Sequence, residues 1–163
     1  DADGVFRPKR RCLQHWSPDL GATAAPRKVF EGTNSMCLHE GDIYFSTTDC
    51  SVHCWSPGDS DSRVVAGFGA TVNGENDLGP NCIVSVSPEG EIFVADPENN
   101  RLLSFKDGSG KVVVEGDITS VFCSLNGMVY VLTDDGQAVQ KLMGTTLHPV
   151  VRSAHYNLWK NKC

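Results

Sequence analysis

A β-rich pattern recurs along this chain with a period of about 40 residues, and a repeat of that length restricts the fold to stacked supersecondary units. The best-formed copy covers residues 80–105, PNCIVSVSPEGEIFVADPENNRLLSF: apolar run, glycine turn, apolar run, acidic turn, apolar run. Aligned on the turn glycine, Gly4 precedes Val5-Phe6, Gly41 precedes Ile43-Tyr44-Phe45, Gly90 precedes Ile92-Phe93-Val94 and Gly127 precedes Val129-Tyr130-Val131. The next run of each unit closes on a large apolar residue, Trp16, Trp55, Phe105 or Leu142, and Trp-Ser-Pro recurs at residues 16–18 and 55–57. A last β-branched run follows at residues 28–30, 63–65, 111–114 and 149–151, and three units carry an earlier one at 35–38, 82–86 and 120–125. Each run is short and bounded by Gly, Asn, Asp, Ser or Pro, which is how strands read.

Four strands per unit make a meander that cannot bury both faces alone, so neighbouring units must stack. Radial stacking with short, protected edges gives a β-propeller. The expected fold is therefore all-β, a propeller or partial propeller of about four four-stranded antiparallel blades. The units are expected at 1–32, 33–69, 78–116 and 117–153, with 70–77 as a Gly- and Asn-rich connector and 154–163 as a C-terminal tail. No stretch carries a convincing helical period.

Residues 78–81 (Leu-Gly-Pro-Asn), 86–96 (Val-Ser-Pro-Glu-Gly-Glu-Ile-Phe-Val-Ala-Asp) and 99–102 (Asn-Asn-Arg-Leu), with Ala66-Gly67-Phe68-Gly69 ahead of them, resemble the NHL-repeat family of propellers. The resemblance covers residues 64–116 and thins outside, where Thr47 and Thr133 stand in the place of Asp96. It implies a structural motif of Gly90, Asp96, Asn99, Asn100 and Arg101, in which the Asp96 carboxylate ties down the turn that follows it. Among propellers that look alike at the level of blades are calcium-dependent lactonases and the peptide-amidating lyase. By that likeness the candidate metal ligands are Asp49, Asp96, Asp134 and Asp135, all near the turn between the second and third strands. An aspartate in a turn also hydrogen-bonds its own backbone, and this reading takes precedence here.

The chain opens on Asp1-Ala2-Asp3-Gly4, the turn inside a repeat, so the first unit lacks a strand. Either the tail folds back to complete that unit, or the chain is a processed piece of a longer propeller; the tail is poor in apolar residues, which favours the second. A net charge of −6 and the lone basic run at residues 7–11 argue against a nucleic-acid footprint. No run approaches the length that spans a bilayer.

Seven cysteines (12, 37, 50, 54, 82, 123 and 163) leave one unpaired in any disulfide scheme and form no regular ladder, pointing to a reducing or organellar compartment. Cys37 and Cys123 both lie four residues ahead of the turn glycine and are expected as equivalent core thiols. Cys50, His53 and Cys54, with His39 nearby, hold the only metal-ligand chemistry by type. Strand alternation points His53 and Cys54 to opposite faces, so they do not share a zinc ion. Asp59-Ser60-Asp61 lacks the glycine and terminal glutamate of a calcium loop and reads as a solvated hairpin.

No G-x-S-x-G elbow, P-loop or H-E-x-x-H is present. The residues point to a non-catalytic protein-interaction or scaffold module, an accessory subunit of a larger assembly, with no cofactor. Its partner is another protein or the remainder of a longer propeller, through an open blade edge. The alternative is a metal-dependent propeller hydrolase or lyase, lactonase-like or amidating-lyase-like, whose site is completed by further blades.

Overall fold

The computed structural model describes residues 12–15, 28–67, 77–133 and 136–152. Gly4, Val5-Phe6, the basic run at 7–11, Trp16, most of the connector, Asp134, Asp135 and the tail lie outside them.

The described residues form fourteen strands in four antiparallel sheets. Strands β1 (Cys12–His15) and β2 (Lys28–Glu31) make a two-stranded sheet. Blade A contains β3 (Thr33–His39), β4 (Asp42–Thr47), β5 (Ser51–Trp55) and β6 (Arg63–Gly67). Blade B contains β7 (Ile83–Val86), β8 (Ile92–Asp96), β9 (Arg101–Lys106) and β10 (Ser109–Glu115). Blade C contains β11 (Ile118–Cys123), β12 (Val129–Thr133), β13 (Ala138–Met143) and β14 (Thr146–Arg152). Each four-stranded sheet keeps sequence order, so every connection within it is a hairpin. The first strand of each blade packs beside the first strand of the next, which places β3, β7 and β11 on the inside of a fan.

Alternation along the strands then assigns the two faces of each blade. Val52, Ala66, Val84, Val94 and Leu103 bury the seam between blades A and B, with Tyr44 and Cys37 packed against it. Phe93, Ala95, Leu102, Val121 and Val131 do the same between B and C. Phe30 of the two-stranded sheet packs tilted against Phe45 and edge-on to Trp55 of blade A, with ring centroids 4.7 and 5.8 Å away. At roughly 25 cal/mol per Å² of apolar surface removed from water, these seams are the main favourable term holding the blades together.

The hairpins joining first and second strands come in two lengths, and this corrects one expectation. In blades B and C, residues 87–91 and 124–128 form the same loop: Ser87 N–H donates to the Glu91 carbonyl at 2.9 Å, and Ser124 N–H to that of Met128 at 2.9 Å. Gly90 and Gly127 take positive φ (79° and 78°) there, the conformation glycine adopts without penalty. Blade A closes in two residues, Glu40 and Gly41, both at positive φ as a type I′ turn demands. Two residues in place of five is an odd difference, and relative to the turn glycine it moves the register by one. Cys37 pairs with Tyr44, whereas Cys123 pairs with Val129, the counterpart of Ile43. The two cysteines are thus not equivalent: a one-residue slip exchanges faces. Cys37 points forward and Cys123 backward, and both pack against blade B from opposite sides. Both are half-buried rather than core thiols. Leu125, expected within a strand, sits fully exposed in the blade C hairpin.

Candidate functional site

The second strands end in Thr47, Asp96 and Thr133, and the turns that follow them gather most of the polar chemistry at one end of blades A and B. Asp96 is wholly buried. Its Oδ1 accepts the Gly79 N–H at 3.2 Å, and its Oδ2 accepts Asn99 Nδ2 at 2.8 Å and Arg101 Nε at 3.1 Å. Pro97–Asn99 make one 3-10 turn, closed by Asn100 in the left-handed conformation (φ 50°, ψ 52°), whose N–H returns to the Pro97 carbonyl. Asparagine tolerates that conformation better than most residues, which suits it to this position. The Arg101 guanidinium continues to the Asp77 carbonyl, and Asn81 donates to Glu98 at 2.7 Å. Four of the five motif residues therefore converge on a single turn. Gly90 does not join them, because it sits in the hairpin before β8, at the opposite end of that strand from Asp96.

Blade A solves the same turn with hydroxyls. Asp49 accepts hydrogen bonds from the Thr47 and Ser51 hydroxyls. Ser51 lies 2.8 Å from His53 Nε2, and Ser62 Oγ lies 3.1 Å from His53 Nδ1. A hydroxyl carries one proton, and that of Ser51 goes to the carboxylate. Its oxygen then accepts from His53 Nε2–H, and in the neutral imidazole Nδ1 is left to accept from Ser62. In a nucleophilic triad the imidazole lone pair faces the serine, so this proton order is the reverse of an activated serine. Burial opposes charge on Asp49, but the two hydroxyl bonds and nearby His53 outweigh it and hold the carboxyl below its usual range. In blade C, Thr133 accepts Gln140 Nε2 at 2.8 Å instead.

His53 and Cys54 face opposite sides of β5. Phe45 stacks on His53 (5.3 Å, 12°), while the Cys54 thiol sits 3.3 Å from Arg63 Nη2 and 3.7 Å from Asp42 Oδ2. His39 stands near Tyr44 and Glu40 instead. The 56–62 hairpin is closed by Asp59 N–H to the Ser56 carbonyl at 3.0 Å and by Trp55 Nε1 to the Asp59 carbonyl at 3.1 Å.

The same end of the molecule is acidic. Burial pushes the Cys50 thiol up, and Asp49, Glu98, Asp96 and Asp77 push it further. Cys82, buried behind Gly79 with its thiol 3.2 Å from that carbonyl, is pushed up by burial and by Asp96. Among the described residues, no three His, Cys, Asp or Glu side chains are arranged to hold a metal ion. None of their helices is long and apolar enough to cross a membrane.

The Asp49–Ser51–His53–Ser62 line was not legible in the sequence. Its one signal is the alternation of Ser51 and His53 along β5, and Ser62 reaches it only through the hairpin.

No family model matches this chain, and no curated protein sequence does. Solved structures do. The chain superposes on virginiamycin B lyase from Staphylococcus aureus at 11% identity and a TM-score of 0.56, covering 91% of this chain and 47% of that one. It matches a luciferin-regenerating enzyme at 13% identity, TM-score 0.55, over 88% of this chain and 56% of that one. It also matches regucalcin, a calcium-binding protein from Agrobacterium tumefaciens, at 14% identity, TM-score 0.52, over 74% and 44%. These likenesses show a β-propeller-type fold. The chain spans about half the length of the structures it matches.

Proposed function

We propose that this chain supplies blades to a propeller enzyme of the hydrolase or lyase kind, with a reaction centre assembled from more than one blade. The observation that carries this reading is the superposition over 91% of the chain on a lyase of which it spans 47%. A luciferin-regenerating enzyme with the same arrangement of sheets supports it, and it displaces the scaffold role as the first reading. The NHL resemblance of residues 64–116 is compatible with it, since it describes blade architecture and not chemistry.

The carboxylates described have structural work already: Asp96 holds its turn and Asp49 holds Thr47 and Ser51. Chemistry at this end therefore needs groups converging from further blades, as a hard cation with six to eight oxygen ligands would require. Calcium, which regucalcin is described as binding, is the first ion to test. The measurement is calcium and zinc content of the purified protein, a calorimetric titration with each ion, and turnover of a panel of small lactones and cyclic peptide esters. Stoichiometric metal with turnover supports the reading. Neither metal nor turnover in an assembly with a closed ring of blades overturns it.

A second reading, a protein-interaction module, is favoured by one observation: blade C leaves Phe122 62% exposed beside Tyr130, Leu132 and Val139.

A further inference from the structure

The residue just before the third strand is left-handed in both blade A and blade B. In blade B it is Asn100 (φ 50°), ahead of β9; in blade A it is Cys50 (φ 67°), ahead of β5. Asparagine enters that region readily and cysteine does not. Blade A therefore holds a thiol where the backbone favours a different side chain.

A second thiol comes to the same place from blade B. The Ser46 hydroxyl, at the end of β4, donates to the Cys82 carbonyl at 2.6 Å, which draws the segment ahead of β7 against blade A. Ser46 pairs across the sheet with Val52, two residues after Cys50. Val52, Leu78 and Cys82 belong to one buried cluster, and Cys50 packs against it. Gly67, the partner of Ser51, closes the side: a Cβ there would meet the Cys50 carbonyl and stand 2.8 Å from Leu78 Cδ1. Cys50 is also near enough for its charge to act on the Cys82 thiol. Two blades thus bring one cysteine each to the end of their shared seam.

The remaining described thiols have other surroundings. Cys54 sits between Arg63 and Asp42, and Cys37 and Cys123 lie toward the opposite end of their strands, next to the hairpins. Exposure sets an order within the pair. Cys82 is 1% exposed and Cys50 is half-buried, so a reagent from solvent meets Cys50 first.

We propose that Cys50 and Cys82 are a redox pair, which a small cationic disulfide oxidises to a covalent staple between blades A and B. The Cys50 sulfur attacks the reagent RS–SR, forms a mixed disulfide and expels one RS group, which takes up the Cys50 proton. The Cys82 sulfur then displaces the second RS group from the Cys50 sulfur, and the Cys82 proton leaves with it. One S–S bond breaks and one forms, two protein thiols are oxidised, and two RSH molecules are released. Asp49, Asp77, Asp96 and Glu98 surround Cys50 with negative charge, and such a field draws a cationic reagent and repels an anionic one. The inference rests on the seam between two blades and stands apart from the enzymatic reading.

The test incubates the reduced protein with cystamine, a cationic disulfide, or with oxidised glutathione, an anionic one. Free thiols are then alkylated, and the protein is digested without reduction and mapped by mass spectrometry. The expected wild-type product is a linked pair of peptides holding Cys50 and Cys82, formed about tenfold faster with cystamine at low salt. Cys82→Ala, which leaves no unpaired hydroxyl in the cluster, is expected to stop at the mixed disulfide on Cys50. Cys50→Ser is expected to leave Cys82 unmodified. The stapled protein should unfold at a higher urea concentration than the reduced one, a gain that both variants lack. The wild-type linkage is read directly, so the folding of the variants does not decide the result. A mixed disulfide that persists on wild-type Cys50, a linkage of Cys50 to any other cysteine, or no reaction at Cys50 overturns the proposal. Equal rates with the two reagents at low salt overturn the choice of a cationic oxidant.

Discussion

The Asp96 carboxylate and the Arg101 guanidinium meet across β8 and β9 with Oδ2 and Nε 3.1 Å apart, the acid fully buried and the base 17% exposed. The pair is buried, yet its charge is compensated, because Oδ1 takes the Gly79 N–H from the irregular segment that leads into the blade. Removing one partner of a buried pair typically costs about 3–5 kcal/mol, since the other is left uncompensated. Asp96→Ala is expected to lower unfolding free energy by about that much. Asp96→Asn keeps one acceptor oxygen but sets an NH2 donor against the remaining N–H donors, and should cost less than Asp96→Ala but still about 1–3 kcal/mol. Urea denaturation of the three proteins measures both; equal losses would mean that charge, not hydrogen bonding, is what the turn needs.

Gly79 is expected to tolerate no side chain. A Cβ there would stand 2.9 Å from Asp96 Oδ1 and 3.0 Å from the Glu98 Cβ. Crowding of this kind costs about 1–3 kcal/mol. Gly79→Ala should therefore destabilise the protein, and less so in an Asp96→Ala background where the oxygen is gone. A double-mutant cycle reads the coupling. Additivity would show that the two do not share this contact.

Acid should weaken blade A before it weakens its seam with blade B. The folded-state pKa of Asp49 lies below the ordinary value of 3.8. A depressed carboxylate contributes stability above its unfolded pKa, and that contribution is lost as pH falls through the folded one. Ser51→Ala removes one of the two hydroxyl donors and should move the Asp49 titration upward. Carboxyl chemical shifts followed by NMR check it; an unmoved Asp49 would mean that the hydroxyls do not set its charge.

Thiol chemistry at Cys37 and Cys123 should be slow in the folded protein. Burial lifts Cys37 to about 11, with a smaller push from Cys123, and burial lifts Cys123 to about 11 as well. The thiolate is the reactive form, so alkylation by iodoacetamide at pH 8 should run far slower than in urea, by about the loss of thiolate, 10²-fold. The linkage has the opposite sign to that of Asp49. A raised pKa contributes stability fully present below the ordinary 9.0 and lost as pH rises toward about 11. Equal alkylation rates with and without urea would remove the argument.

Cys37 and Cys123 also show where reading the chain succeeds and where it stops. Both stand four residues before a turn glycine, and spacing alone makes them twins. The glycine is a sound marker for the second strand, since Ile43, Ile92 and Val129 all follow it by two residues. It is a poor marker for the first strand, because a two-residue turn and a longer loop both need a glycine at positive φ. Only cross-strand pairing tells them apart, and one residue exchanges forward for backward. The motif around Asp96 was legible for the same local reason that the second strand was: Asp96, Asn99 and Arg101 meet within a six-residue span. Gly79, which supplies the third hydrogen bond, is 17 residues away and enters only through the packing of the chain ahead of β7.

By itself the sequence determined that this chain is all β, that its strands come in hairpin-linked groups, and which residues turn them. Those choices rest on alternation and turn chemistry, which act over a few residues. Tertiary structure alone decided which face of each blade is covered, which carboxylates are already engaged and which serine carries its proton where. These depend on register and on contacts between blades tens of residues apart. It also left Phe122 and Met36 exposed at positions whose counterparts in the middle blade are buried or paired. A repeat written in sequence looks the same whether or not its next neighbour is there, because burial belongs to the stack and not to the strand.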